Sequence, residues 1–192
     1  MNVQLIDKRE GIFSATLTLI HENGFHGTAM SMIAKKSNVS IGTIYHYFPS
    51  KDNLIQEIYY HCKNELYNYI FETIDKNDSY KSHFFIIFQR FTDFYLKNVD
   101  MFSFMEQFYS SPYNDHSYDE KSKYLCHDNK IYDFLMEGIH SGQLKDKNVH
   151  ILSSACIGGL VSFAKKVLYG KVEYKEQYLT EIIDIIWTGV KK

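Results

Sequence analysis

Proline is almost missing from this chain. Pro49 and Pro112 are the only two in 192 residues, and apolar side chains recur at three- and four-residue spacing along most of the length. The backbone can therefore keep helical hydrogen bonds nearly throughout, and strand alternation is absent. The pattern predicts an all-α fold. A first helix is expected over roughly 7–23, with Ile12, Ala15, Thr16, Leu19 and Ile20 on one face and Gly24 as its stop. A long helix is expected from Ser50 to about Asp75. Further helices are expected near 83–98, 100–109, 120–141 (ended by Gly142), 149–169 and 175–190, with loops over 75–82 and 110–119.

The densest local signal is Thr28 to Leu54, reading TAMSMIAKKSNVSIGTIYHYFPSKDNL. Ile33 and Ala34 close a short amphipathic helix. Asn38 stands where the chain must reverse, and Asn is second only to Gly in tolerating the positive φ of such a turn. Ser40 is placed to cap a second short helix from Ile41, and Phe48 with Pro49 ends it. Ser50 caps the long helix that follows, with Asp52 in its first turn as the helix dipole favours. Ile33, Val39, Ile44 and Phe48 are expected in the core. Ile41, Gly42, Thr43 and Tyr45 are the residues able to approach base edges if this helix lies in a major groove, Gly42 through its bare backbone.

The net charge of −2 argues against a nucleic-acid partner, and its distribution leaves one open without being enough to imply it. Between Phe25 and Lys51 the chain carries Lys35, Lys36 and Lys51 and no Asp or Glu, a local balance of +3. Cys62, Cys126 and Cys156 are 64 and 30 residues apart, which fits neither a disulfide framework nor a zinc motif. Asp7, Lys8, Arg9 and Glu10 precede any apolar stretch, and no uninterrupted apolar run approaches about 18 residues. Cytoplasmic residence, with no membrane partner, metal or cofactor, is the expectation.

The segment resembles the DNA-binding signature of TetR-family transcriptional regulators. Arg9, Ile12, Ala15, Leu19, Gly24 and Phe25 fall where that family has its first helix and following turn, and Thr28, Ile33, Ala34, Val39, Ser40, Gly42, Ile44, Tyr45, Tyr47, Phe48, Ser50, Lys51 and Leu54 continue the match. Asn38 replaces the usual Gly, Ser37 the usual Ala, and Ile41 a frequent polar side chain. The specific likeness covers about the first 60 residues. It implies an N-terminal three-helix helix-turn-helix DNA-binding domain, residues 1–49, joined by a long helix to a helical ligand-binding and dimerisation domain, residues 50–192. It also implies that Thr28, Ser40, Tyr45, His46, Tyr47 and Lys51 face phosphates, a role suited to hydroxyls and an ammonium.

Aromatic residues make up 16% of the chain and crowd the stretch from Tyr80 to Tyr109. Most must be core, yet an aromatic helical core with a few polar groups is also how a pocket for an apolar effector is built. Phe88, Phe91, Tyr95, Phe104, Glu106, Gln107, Met136 and Phe163 are the candidate lining, with His83, Cys126 and Cys156 weaker. An inward Glu106 suits a cationic or hydroxylated lipophile; a solvent-facing Glu106 is the alternative. Ala155, Gly158, Gly159 and Ser162 permit close helix approach, and Ile182, Ile186 and Trp187 form an apolar stripe, so the last two helices are expected to build a two-fold homodimer interface. A ligand-responsive repressor on a pseudo-palindromic, double-stranded operator is the leading reading. A helical binding or scaffold protein that retains the module without specific DNA recognition is the alternative. A helical enzyme has little support, because no His-Glu-x-x-His, Gly-rich phosphate loop or nucleophile elbow occurs.

Overall fold

The computed structural model describes residues 3–72, 74–75, 77–114 and 129–192, with side chains described from Lys8 onward. Among these residues the order is α1 (Val3–Gly27), α2 (Met30–Lys36), α3 (Ile41–Tyr47), α4 (Lys51–Phe71), α5 (Tyr80–Lys97), α6 (Val99–Tyr109), α7 (Lys130–His140), α8 (Val149–Leu168) and α9 (Glu176–Val190). The all-α expectation holds. The only strand-like feature among the described residues is one isolated antiparallel bridge, Leu144 to Lys191.

Sequence signals placed most helix ends well. Gly24 (φ 70°, ψ 175°) breaks α1 as expected, but the helix resumes for one turn to Gly27. Gly142 takes φ 72° just after α7. Ser50 caps α4, accepting the Asn53 N–H at 3.1 Å while its hydroxyl donates to Asn53 Oδ1 at 2.7 Å. Two ends moved: α4 stops at Phe71 rather than near Asp75, and α5 begins at Tyr80, three residues early. The guanidinium of Arg90 explains the first, because it donates to the terminal α4 carbonyls of Tyr69 and Ile70 at 3.4 and 3.2 Å. Ser79 accounts for the second by capping α5 through the Ser82 N–H at 3.1 Å. The helix expected over 120–141 is described only from Lys130, and the rest of it, with Cys126, lies outside the described residues.

The described residues form two compact units. The first contains α1, α2, α3, α4 up to Asn64, and α6 with the short turn after it; the second contains the end of α4, α5, α7, α8 and α9. The division thus falls inside α4 rather than at 49/50, and α6 joins the N-terminal unit. In that unit Ile12, Ala15, Thr16, Leu19 and Ile20 are buried as expected, and so are Phe13 and Leu17 on other sides of α1. Phe13 packs against Phe48 and His61, ring centres 5.6 and 5.1 Å away, and another side of α1 is covered by α6. That helix lies along α1, with Thr18 donating to Asp100 at 2.8 Å and Gln107 Nε2 donating to the Ile20 carbonyl at 3.2 Å.

In the second unit α5 and α9 meet through Phe84 and Trp187, ring centres 5.0 Å apart, and Tyr80 stacks on Phe134 at 4.5 Å. The Tyr80 hydroxyl donates to the Phe134 carbonyl at 3.0 Å. It rests where a side chain on Gly138 would have to go, so this close approach requires the glycine.

Candidate nucleic-acid interface

The chain reverses between α2 and α3 through Asn38, at φ 55° the one non-glycine residue with positive φ among those described. The Val39 N–H donates back to the Ala34 carbonyl at 3.1 Å, and the Ser37 hydroxyl donates to the Ile33 carbonyl at 2.7 Å. Ser40 then caps α3, its Oγ accepting the Thr43 N–H at 3.0 Å. Ile44 and Phe48 are buried and anchor the short helix, while Ile41 and Tyr45 stand 45% and 48% exposed. Ser40, Gly42 and His46 are exposed, and Thr43, Tyr47 and Val39 are half-buried, so Val39 is only partly core. A side chain at Gly42 would meet only Ser40 Oγ, at 3.8 Å, so the helix does not need glycine for its own packing. What glycine leaves there is a bare stretch of backbone facing outward.

Two of the expected phosphate-facing residues bond backbone carbonyls of α1. Thr28 is 0% exposed, and its hydroxyl donates to the Gly24 carbonyl at 2.8 Å. It closes the break in α1 and presents no side chain to a phosphate. Lys51 is half-buried, with its ammonium donating to the Phe25 carbonyl. Burial lowers its pKa from the usual lysine value, and Asp52 offsets part of that shift. The positive footprint is also smaller than the local sequence implies, because Lys36 lies 3.3 Å from Glu22 on α1.

Around Gly24, the structure gathers residues that local sequence reading did not connect. Phe25 packs edge-on to Phe104, ring centres 5.4 Å apart, and tilts against Tyr113 at 5.2 Å. Gln56 on α4 donates to the Tyr113 carbonyl at 2.6 Å. The only local clue was Gly24 itself; the partners are 30 to 90 positions away in sequence, beyond the reach of periodicity.

The candidate effector residues divide. Phe104, Glu106 and Gln107 sit on α6 in the first unit, with Phe104 buried against Phe25 and the Gln107 amide engaged by Ile20 and Ser103. Phe88, Phe91, Tyr95 and Phe163 are buried in the second unit, where Met136 is half-buried. His83 bonds the Asp75 carbonyl at 2.7 Å, and Cys156 is buried, which pushes its thiol up to about 12.

The candidate dimer residues also divide. Ala155, Gly158 and Ser162 are exposed along α8, and Gly159, Ile182 and Ile186 are half-buried. Trp187 is a correction: it is buried against Phe84 and belongs to the interior. Gly159 lets Ile186 approach within its own chain, 3.4 Å from where a Cβ would stand. The sequence reading missed Ile151 and Ile185, which are 65% and 70% exposed and are the most outward aliphatic side chains of α8 and α9. Among the described residues α8 is also the helix long and apolar enough to cross a membrane by length and composition, a property shared with core helices.

The model of the bacterial regulatory proteins of the tetR family matches residues 12–58, and that of the tetracyclin repressor-like C-terminal domain matches residues 79–191. The chain belongs to the TetR family. An uncharacterized HTH-type transcriptional regulator of Haemophilus influenzae is 25% identical over 193 residues, covering 97% of each chain. The fold of this TetR-family chain is shared by a TetR family transcription regulator from Marinobacter aquaeolei, with TM-score 0.89 and 17% identity over 100% of both chains. It is also shared by Bacillus subtilis FadR in complex with stearoyl-CoA, with TM-score 0.73 and 20% identity over 93% of this chain and 95% of the other. As a TetR-family member this protein is a DNA-binding transcriptional regulator, and α2 to α3 is its helix-turn-helix.

Proposed function

We propose that the protein is a homodimeric cytoplasmic repressor, released from a pseudo-palindromic operator by a small, largely apolar effector. The observation that carries the reading is the face of α3: Ile41, Gly42, Thr43 and Tyr45 turn outward over a buried Ile44 and Phe48. Such a face suits a helix laid in a major groove, where Thr43 reads an edge or a thymine methyl and Ile41 offers apolar contact. Ser40, Tyr45, His46 and Tyr47 are the phosphate group, joined by whichever Lys51 donors Phe25 does not use. Few polar base contacts are available, so DNA shape contributes to recognition.

Dimerisation is supported by the outward Ile151, Ala155, Gly158 and Ser162 on α8 and the outward Ile185 on α9, a stripe costly to leave in water. A two-fold pair would set its recognition helices about 34 to 36 Å apart, or at another whole-turn spacing. The aromatic interior around Phe88, Phe91, Tyr95 and Phe163 supports an apolar effector, as does the likeness to a regulator that holds stearoyl-CoA. Release follows from linkage: an effector that prefers the conformation unable to bind DNA weakens DNA binding by its differential affinity.

The test is fluorescence anisotropy of the protein with its own upstream DNA against a scrambled duplex, at two salt concentrations. Tight, discriminating binding that a long-chain acyl-CoA reverses is the expected outcome. Equal, weak binding to both duplexes would overturn the operator reading in favour of a ligand-binding or scaffold role.

A further inference from the structure

Ser40 does more at the start of α3 than accept one N–H. Its Oγ lies 3.0 Å from the Thr43 nitrogen and 2.8 Å from Thr43 Oγ1. One hydroxyl hydrogen lies between the two oxygens, so whichever group donates it, the pair retains a single O–H to present elsewhere. The same contact fixes the Thr43 side chain. Threonine in a helix otherwise divides between two χ1 rotamers, which place its hydroxyl and methyl differently. For a residue that reads DNA, those are two different readings, one offering a hydrogen bond where the other offers a methyl.

We propose that Ser40 is a positioning residue for base recognition: by holding Thr43 in one rotamer, it makes hydroxyl and methyl meet a base pair in one fixed arrangement. The proposal rests on the operator reading above. Hydroxyl pairing at a helix start is not itself special, since Ser79 and Ser82 make the same pair, 3.0 Å apart, at the start of α5. What differs at α3 is the second partner. Thr43 is β-branched, with two unlike γ groups, and it sits among Ile41, Gly42 and Tyr45 on the outward face. Locking a serine there would change little, whereas locking a threonine selects what is read.

The experiment enriches duplexes from a random-sequence pool with the wild-type protein, then measures relative affinity for every single-base variant of the enriched half-site. Glycine is nearly as good a helix N-cap as serine, so Ser40→Gly removes the hydroxyl while keeping the helix start. Ser40→Gly and Thr43→Val should each flatten preference at the same base-pair position, by about tenfold, and the double variant should flatten it no further. Ser40→Thr, which restores the hydroxyl, should recover the wild-type profile. The proposal is overturned if Ser40→Gly weakens all duplexes by one common factor with the profile unchanged, or if the two variants flatten different positions. Ser40→Ala, read in the same way, serves if Ser40→Gly does not fold. A pool that yields no preferred duplex overturns the operator reading itself, and the positioning role with it.

Discussion

At Gly138 a single hydrogen atom decides whether α7 and Tyr80 can share the same space. Gly138→Ala must push against the Tyr80 ring and hydroxyl and against Leu144 Cγ, 2.8 Å from the new Cβ. A loss of about 1–3 kcal/mol in unfolding free energy is expected, as for other overpacked cores. Tyr80→Phe should cost about 0.5–1.5 kcal/mol for the lost bond to Phe134. Combined, the two should cost somewhat less than their sum, because removing the hydroxyl relieves the nearest contact, although the ring carbon that bore it still has to shift. Additive losses in chemical denaturation would show that the hydroxyl is not the obstacle. Cys156 makes a prediction about pH. Burial raises its thiol from 9.0 to about 12, so the unfolded chain releases that proton first. The contribution is fully present below pH 9 and is lost as pH rises from there through about 12. Cys156→Ala should be less stable at neutral pH, from the cavity it leaves, yet lose less stability over that alkaline range. An unchanged alkaline slope would remove the thiol as its cause.

At the scale of elements, α1 is two helical pieces joined at Gly24. At φ 70°, ψ 175° Gly24 occupies backbone space essentially confined to glycine, where another residue costs about 1–3 kcal/mol, and a Cβ there would stand 3.3 Å from Gln107 Oε1. Gly24→Ala should therefore destabilise the first unit by about that amount and weaken DNA binding through the misdirected last turn of α1. Unaltered thermal unfolding and affinity would mean the break can move elsewhere. The break itself was legible, as were the turn at Asn38 and the caps at Ser40 and Ser50, because each depends on one residue's own backbone preference or hydrogen-bonding reach. The burial of Thr28 and the engagement of one Lys51 donor were illegible for the opposite reason. Both side chains suit a phosphate equally well, and only the three-dimensional path of α1 shows that backbone carbonyls at Gly24 and Phe25 reach them. The membership of α6 in the N-terminal unit was illegible on the same grounds, since Thr18 and Asp100 are 82 positions apart.

For the whole molecule, the useful contrast lies within one helix. Ile185 and Trp187 are two positions apart on α9; periodicity placed Trp187 in the outward apolar stripe and passed over Ile185. The structure separates them: Ile185 faces outward, while Trp187 is interior. Ile185→Glu should leave the chain folded and convert a dimer into a monomer by light scattering, with operator affinity falling as two half-sites cease to be held together. Trp187→Ala should instead unfold the second unit more easily, by about 3–5 kcal/mol. An Ile185→Glu protein that is still dimeric at micromolar concentration would rule out this face as the interface.

The bond from Lys51 to the Phe25 carbonyl spans 26 positions, and everything that reverses, caps and presents the helix-turn-helix lies between its two ends. The chain enters and leaves that module at the same place, so an opening that frees either end must also give up this bond, and the two short helices are coupled through it. Amide protons of α2 and α3 should therefore exchange with solvent through one shared opening, and Lys51→Ala should split that event into two, with α3 exchanging first.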